Sequence, residues 1–252
     1  MVKLENRFTA EFIVDYYGIK PDCTISFPRL MAYMQEASIR HTDSTSYPMK
    51  WYSENRFAFL LTNWHVEAIS YPGLHDKITI HTWPICFKGI ISERYFEMRD
   101  INNKILARAA SKWAYMDLER KRPRKPPEEI VNGYGGAYPP GFTHSYGPPV
   151  LSDEFDKTGT DHFKITRRDI DSNNHVNNVK YIEWAVDYIP DAVYDSYSIS
   201  EAKVSYKKEC VKDQLVFIET YANLKNSPEV VSLLKPEEDP GGLLAEVYFK
   251  FG

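Results

Sequence analysis

The chain has 252 residues, a net charge of −4 and an ordinary composition that is 43% hydrophobic and 26% charged. This length predicts one or two domains, the 14% aromatic content excludes a disordered chain, and the acidic balance argues against a nucleic-acid-binding protein. No apolar run reaches the roughly 18 residues of a membrane span, and the first residues lack the apolar core of a signal peptide.

The cysteines and the sequence motifs indicate neither a metal nor a cofactor. Cys23, Cys86 and Cys210 form no CxxC pair. The chain also contains no His-Glu-x-x-His zinc helix and no Gly-x-Ser-x-Gly nucleophile elbow. We therefore expect a reduced protein without a disulfide framework, a metal or a cofactor.

The first half of the chain predicts one strand, one long helix and then several strands. Alternating apolar residues predict a strand over 7–15, and a dense apolar pattern predicts a buried helix over 29–42. Further alternation predicts four strands, at 58–69, 77–83, 90–99 and 105–116.

Prolines and glycines concentrated in the middle of the chain predict a long connection, which we place at 126–160 between domains at 1–125 and 161–252. The basic run 120–125 is either a solvated loop or a landing site for an acidic partner. The second half then repeats the first, with a strand at 163–167, a helix at 176–188 and strands at 198–207, 215–223, 230–235 and 243–251.

This repeated order predicts an α+β protein made of two similar units. Phe12 and Phe163 occupy equivalent places, 151 residues apart. One such unit leaves a sheet edge open, and two in one chain can pair as a covalent pseudo-dimer.

A polar segment at 169–178 precedes the second helix and contains four Asn, two Asp and one His. A turn with a helix cap uses the same residue types. However, His175 lies near a helix N-terminus, where free N–H groups and the dipole stabilise developing negative charge, and an imidazole can move protons near neutral pH. Both interpretations stay open on the residues alone.

Hydrolysis at such a site would need a carboxylate to activate water, and the sequence offers three. Glu183 and Asp187 lie about two and three turns beyond His175 on the predicted helix. Glu209 follows a later strand that could return to the same place. Cys210 beside it is a possible thiol nucleophile, although single internal cysteines are more often core residues.

The segment 171–182, together with the run 208–210, resembles the catalytic region of acyl-acyl carrier protein thioesterases. Runs in the first half, among them 94–100, 107–113 and 126–130, are similar to the same family. The resemblance implies a tandem (double) hotdog fold, in which each unit is a long helix wrapped by a curled antiparallel sheet. It also implies catalytic roles for residues of the two matching segments, namely Asp171, Asn173, His175 and Glu209.

The implied reaction is hydrolysis of the thioester of fatty acyl-acyl carrier protein, which releases a free fatty acid. Glu209 would activate or hold the water, His175 would assist proton transfer, Asn173 would orient water or carbonyl, and Asp171 would support the loop. Covalent attack by Asp171 or Glu209 stays open, and Cys210 holds the position once considered the nucleophile. The alternatives are an acyl-CoA thioesterase, a hotdog hydratase or dehydratase, and a non-catalytic acyl-thioester sensor.

The resemblance also implies where the substrate binds. The first unit would hold the acyl chain, and we expect its lining to include Met31, Met34, Leu60 and Trp64. The acidic carrier protein would dock on basic residues near the catalytic segments, namely Arg167, Arg168, Lys207 and Lys208. We further expect a cytoplasmic protein, because the plastid-targeting extension of the plant members is absent, and a monomer (as a pseudo-dimer) or a homodimer.

Overall fold

The structure is a computed structural model that describes residues 7–135, 138–171, 174–225 and 227–252. The chain forms two compact units. The first comprises Met1–Thr62 and Val66–Ser145, and the second comprises Asn63–His65 and Tyr146–Gly252. Within the described residues, no helix is both long enough and apolar enough to cross a lipid bilayer.

The first unit contains one long helix and a sheet. The helices are α1 (Phe27–Asp43), α2 (Met49–Glu54) and α3 (Glu128–Gly133). The strands are β1 (Phe8–Ile13), β2 (Phe57–Ala68), β3 (Lys77–Lys88), β4 (Ile91–Asp100), β5 (Ile105–Asp117) and β6 (Arg122–Pro123). They lie in the order β1-β3-β4-β5-β2, with β6 paired to β5.

Helix α1 forms the centre of this unit because its sequence is capped at the start and apolar along much of its surface. The Ser26 hydroxyl accepts the N–H of Arg29, and Pro28 occupies the first turn, where a missing N–H has no cost. The helix packs against β1 and β3. Its residues Leu30 and Met34 are fully buried, as expected for a helix inside a curled sheet.

The second unit contains the same kinds of elements. A short 3-10 helix, Arg167–Asp169, precedes the helices α4 (Asn178–Asp187) and α5 (Asp191–Tyr194). The strands are β7 (Asp156–Lys164), β8 (Ile199–Tyr206), β9 (Leu215–Asn223), β10 (Glu229–Pro236) and β11 (Ala245–Phe251). They lie in the order β7-β9-β10-β11-β8, and α4 packs near β11.

The two units have the same strand order, which confirms the predicted repeat. In each unit the first strand pairs with the third, the third with the fourth and the fourth with the fifth, and the second strand lies beside the fifth. The first three of these pairings are antiparallel in both units. In each unit, a helix follows the first strand.

The strand predicted at 163–167 was misplaced. Strand β7 begins at Asp156, inside the predicted connection, and ends at Lys164. Beyond it the chain turns, because Thr166 donates from its N–H and its hydroxyl to the Asp169 carboxylate, at 2.8 and 2.6 Å, and closes a capping box. The preceding strand is mostly polar and exposed, so it lacks the apolar alternation that marks a strand.

Candidate active site

A backbone hydrogen bond joins the two segments that carry the predicted catalytic residues. The N–H of Val176 donates to the carbonyl of Cys210 over 2.9 Å. The adjacent side chains meet as a consequence, with His175 Nε2 3.5 Å from Glu209 Oε2. The two side chains are 35% and 48% exposed, so the pair is open to water and to a substrate. A catalytic contact of this length in an unliganded protein can tighten when substrate binds.

Asp171 forms hydrogen bonds with Asn174 and His175, the first two described residues that follow it. The Asp171 N–H donates to the carbonyl of His175 at 2.8 Å, and the N–H of Asn174 donates to the carbonyl of Asp171 at 3.1 Å. Asn174 has a φ of 62°, in the left-handed region that Asn tolerates better than most residues. The Asp171 carboxylate also accepts the N–H of His175 at 3.4 Å. Asn173, the remaining predicted catalytic residue, lies outside the described residues.

The first turn of α4 leaves one backbone donor open. Asn177 caps the helix, since its side-chain oxygen accepts the N–H of Val179 at 2.9 Å and its carbonyl accepts the N–H of Lys180 at 2.9 Å. The N–H of Asn177 itself donates to the carbonyl of Asp169 at 2.9 Å. Within the parts of the chain that the structure describes, the N–H of Asn178 has no hydrogen-bond partner. Of the donors at this helix start, it is therefore the one available to a developing oxyanion.

Of the three carboxylates considered, Glu209 is the one beside His175. Glu183 is paired with Lys180, at 2.5 Å between Oε2 and Nζ. Asp187 lies in the last turn of α4, and burial, with the nearby charge of Glu183, raises the pKa of its carboxyl group. Neither residue is paired with the imidazole.

The thiol of Cys210 is poorly suited to nucleophilic attack. The residue is completely buried, and burial raises the pKa of its thiol to about 11. At neutral pH the group is therefore a protonated thiol, and the thiolate is the reactive form.

The basic residues predicted to dock a carrier protein are exposed. Arg167 and Arg168 lie on the 3-10 helix, directly before Asp169. Lys207 and Lys208 are exposed immediately before Glu209, and Lys207 Nζ lies 3.6 Å from a carboxylate oxygen of Glu246. All four belong to the second unit, as does the His175–Glu209 pair.

The residues predicted to line an acyl pocket are at least partly buried. Met31 and Met34 are buried on α1, and Leu60 is half-buried on β2. Trp64 is buried too, but it belongs to the short segment 63–65, which groups with the second unit. Their role in binding an acyl chain stays a prediction.

The first unit repeats the backbone hydrogen bonds that the described residues of the candidate site form. The N–H of Lys20 donates to the carbonyl of Thr24 at 2.8 Å, as Asp171 does to His175. Likewise, the N–H of Ile25 donates to the carbonyl of Pro72 at 2.9 Å, as Val176 does to Cys210. Cys23, the counterpart of Asn174, has the same φ of 62°.

The side chains at these equivalent positions are different. Lys20, Thr24 and Tyr71 occupy the positions of Asp171, His175 and Glu209. Asp22, the counterpart of Asn173, accepts from Lys20 Nζ at 2.9 Å and from the Thr24 hydroxyl at 2.7 Å. Across the described residues, the backbone hydrogen bonds of the site are therefore present twice, whereas a His–Glu pair occupies these positions in the second unit alone.

Two neighbouring tyrosines were not predicted to belong to the site. Tyr181, on α4, packs edge-on against Tyr206, with the ring centroids 5.5 Å apart, and the Tyr206 hydroxyl donates to the carbonyl of Asn178 at 2.9 Å. Comparing the two halves would have drawn attention to Tyr181, since Leu30 occupies its place in α1. Within the described residues, no three His, Cys, Asp or Glu side chains are grouped so that they could hold a metal ion.

Family models match both halves of the chain. The acyl-ACP thioesterase N-terminal domain matches residues 5–134, and the C-terminal domain matches residues 152–241. Two solved structures have similar folds. An acyl-ACP thioesterase from Bacteroides thetaiotaomicron has a TM-score of 0.84 and 18% identity, covering 100% of both chains. The 12:0-ACP thioesterase from Umbellularia californica has a TM-score of 0.82 and 22% identity, covering 98% of this chain and 94% of the other.

Sequence relatives agree with these matches. A chloroplastic dodecanoyl-[acyl-carrier-protein] hydrolase of Cinnamomum camphora is 27% identical over 224 residues, which are 83% of this chain and 58% of the relative. A chloroplastic acyl-[acyl-carrier-protein] hydrolase of Cuphea viscosissima is 30% identical over 247 residues, 91% of this chain and 55% of the relative. The chain thus spans little more than half the length of these two relatives. Together the matches confirm the predicted tandem hotdog fold, and the chain belongs to the acyl-ACP thioesterase family.

Proposed function

We propose that this protein hydrolyses the thioester of fatty acyl-acyl carrier protein and releases a free fatty acid. The observation that carries the proposal is the 3.5 Å contact between His175 and Glu209, at the start of a helix in a chain of this family. A carboxylate and an imidazole in contact, both open to solvent, are the groups that general acid–base hydrolysis needs.

Water is the proposed nucleophile. Glu209 accepts a proton from the water as its oxygen bonds to the thioester carbonyl carbon, and a tetrahedral oxyanion forms. The carbon–sulfur bond then breaks, and the proton passes from Glu209 to His175 and on to the departing thiolate, so both side chains return to their starting protonation states. The products are a carboxylic acid and the free thiol of the phosphopantetheine arm, so atoms and charge balance.

The oxyanion would be stabilised at the start of α4. The N–H of Asn178, open among the described residues, is the proposed backbone donor, aided by the positive end of the helix dipole. We assign Asn173 the role of orienting the water or the carbonyl, on the basis of the family motif. Asp171 would keep His175 in place, which is consistent with the hydrogen bonds that it forms with Asn174 and His175.

The acyl chain and the carrier protein would bind to different units of the chain. We propose that the first unit, predicted to be a domain at 1–125, holds the acyl chain against Met31, Met34 and Leu60. Trp64 stays a predicted lining residue. The carrier protein would dock on the second unit, predicted to be a domain at 161–252, where Arg167, Arg168, Lys207 and Lys208 supply exposed positive charge to an acidic partner.

One assay separates this function from its alternatives. The full chain is incubated with a long-chain acyl thioester of the carrier protein, and free thiol is followed with a thiol reagent. Thiol release that depends on Glu209 supports the proposal. Faster turnover of the matching coenzyme A thioester indicates an acyl-CoA thioesterase, a hydrated product indicates a hydratase, and binding without turnover indicates a sensor.

A further inference from the structure

Asp169 lies at the base of the segment that carries His175. Its carbonyl accepts the N–H of Asn177 at 2.9 Å, and two residues further on, the N–H of Asp171 donates to the carbonyl of His175 at 2.8 Å. These two hydrogen bonds flank an antiparallel bridge between the two short segments. The backbone of His175 is therefore tied to the backbone of Asp169 through successive bonds of one ladder.

The side chain of Asp169 is buried and anchored. The residue is 4% exposed, and its Oδ2 accepts the N–H of Thr166 at 2.8 Å and the Thr166 hydroxyl at 2.6 Å. Hydrogen bonds to a carboxylate are shorter and stronger than those between neutral groups. Asp169 is thus held by its carboxylate on one side and bonded through its carbonyl to the start of α4 on the other.

The side chain of His175 has little other support. It is 35% exposed, and among the described residues Glu209 is its one ionic partner, at 3.5 Å. A side chain with so few contacts is directed by the backbone from which it projects. Asn178, whose N–H is the proposed oxyanion donor, directly follows the residue bonded to the carbonyl of Asp169. A shift of Asp169 would therefore move both the imidazole and the oxyanion donor.

The first unit forms the same backbone ladder without a carboxylate. The N–H of Ser26 donates to the carbonyl of Gly18 at 2.8 Å, which is the counterpart of the bond from Asn177 to Asp169. Gly18 has a φ of 95°, in the left-handed region that glycine adopts readily and that Asp169 does not occupy. The ladder itself therefore does not require a carboxylate at this position. The carboxylate is found in the unit that carries the His–Glu pair.

We propose that Asp169 is a positioning residue whose buried carboxylate fixes His175 and the start of α4 for catalysis, an inference that rests on the proposed function. Arg167 and Arg168 precede Asp169 on the same 3-10 helix, so an effect on carrier docking has to be separated from an effect on the catalytic loop. A small pantetheine thioester, which needs no docking, makes that separation.

The test uses the purified full chain and compares Asp169→Ala with Asp169→Asn. The first variant loses both hydrogen bonds to Thr166, so kcat should fall about 10-fold to 100-fold for the carrier-bound and the pantetheine substrate alike, while KM for the pantetheine substrate stays within about twofold. The amide oxygen in Asp169→Asn can accept the same two bonds, so kcat should stay within about threefold of the wild type. Amide hydrogen exchange at Asn177 should be faster than in the wild type in Asp169→Ala and unchanged in Asp169→Asn.

Thr166→Val tests the link from its other end. It removes the hydroxyl and keeps the N–H, so kcat should fall by less than in Asp169→Ala, about threefold to 10-fold. The double variant should be no slower than Asp169→Ala, because both changes break the same link. If Asp169→Ala does not fold, Thr166→Val makes the same test.

Asp117→Ala is the matched control. Asp117 is a carboxylate of the first unit that is buried to a similar degree, 6% exposed, and it accepts the N–H of Arg120 at 2.9 Å. This variant should lower the Tm about as much as Asp169→Ala and leave kcat unchanged.

Wild-type kcat in a folded Asp169→Ala, an Asp169→Asn as slow as Asp169→Ala, or a loss confined to the carrier-bound substrate would overturn the inference. These results differ from a failure of the proposed function. In that case the wild-type chain would release no thiol, or Glu209→Gln would be as fast as the wild type.

Discussion

The amide of Val176 donates to the carbonyl of Cys210, and this one hydrogen bond brings a loop from before α4 against a loop from after β8. The residues on either side of the bond are His175 and Glu209, whose side chains lie 3.5 Å apart. The same bond in the first unit runs from Ile25 to Pro72, where Thr24 and Tyr71 occupy the equivalent positions. The backbone hydrogen bond is thus repeated, and the side chains beside it differ between the two units.

The buried thiol predicts that no acyl group is transferred to Cys210. Because burial raises the pKa of this thiol to about 11, very little thiolate exists at neutral pH. Mass spectrometry of the chain, quenched during turnover of an acyl-carrier-protein thioester, should show no acyl adduct at Cys210, and Cys210→Ser should keep most of the activity. An acylated Cys210, together with an inactive serine variant, would restore the thiol nucleophile.

Enlarging the side chain at Met34 should shift the preferred acyl chain to shorter lengths. Met34 is fully buried on α1, so Met34→Phe would take volume from any cavity beside it. Each methylene that no longer fits forfeits about 0.8 kcal/mol of burial. Relative kcat/KM values across a series of saturated acyl chains measure the shift.

Met34→Leu is the control for this prediction, because a swap of similar volume disturbs a core little. Its chain-length profile should match that of the wild type. If Met34→Phe, and Met31→Phe beside it, both keep the wild-type profile while folding normally, the acyl chain binds elsewhere.

The exposed arginines before the catalytic loop should affect carrier binding rather than chemistry. Reversing Arg167 and Arg168 to Glu should raise KM for the carrier-bound substrate and leave both kcat and the hydrolysis of a small pantetheine thioester unchanged. The wild-type KM should also rise with salt, as the screening length shortens to about 8–10 Å near 0.1–0.15 M.

The rival basic run, 120–125, supplies the matched control. Lys121 and Arg122 are exposed there, whereas Arg120 and Arg124 each lie 4.0 Å from Asp117. Reversing Lys121 and Arg122 to Glu should leave KM unchanged at low salt. A larger KM effect from this pair than from Arg167 and Arg168 would move the docking surface to the first unit.

A buried imidazole in the first unit predicts a loss of stability in acid. Burial, together with the Arg94 guanidinium 2.9 Å from its Nδ1, lowers the pKa of His41 to about 3. An unfolded histidine has a pKa near about 6.5, so below this pH the unfolded chain binds a proton that the folded chain does not. Stability should therefore fall as the pH drops from about 6.5 towards 3, by up to about 1.4 kcal/mol per pH unit from this group.

His41→Asn provides the comparison, because its side-chain oxygen can accept from Arg94 and does not titrate. Urea unfolding at pH 6.5 and pH 5 should show that the wild type loses about 1.6 kcal/mol more than the variant over this interval. Parallel losses in the two proteins would mean that His41 is protonated in the folded state.

How far the sequence predicted the structure depends on burial. Strand β9 occupies the predicted residues 215–223, because its buried and exposed residues alternate over much of its length. Strand β7 was largely missed, because it is polar and is held in the sheet by its pairing with β9. An alternating pattern of apolar and polar side chains shows which face of a strand is buried, and an exposed edge strand has no such pattern.

The sequence indicated which residues belong to the candidate site, but it did not indicate the hydrogen bond that joins the two segments. The polar segment around His175 and the run at Glu209 were recognisable as motifs, but neither contains the hydrogen bond between Val176 and Cys210. That contact depends on the path of β8 and on the turn after it.

The measurement that tests the central claim most directly is the rate of thiol release by Glu209→Gln under saturating acyl-carrier-protein thioester. Gln keeps the size of the side chain and removes the proton acceptor, so kcat should fall by about 10²–10⁴. The Tm should barely change, because Glu209 is half exposed. Glu183→Gln, which removes a carboxylate of α4 that is paired with Lys180, should keep the wild-type rate. A Glu209→Gln variant that turns over at the wild-type rate would contradict the account.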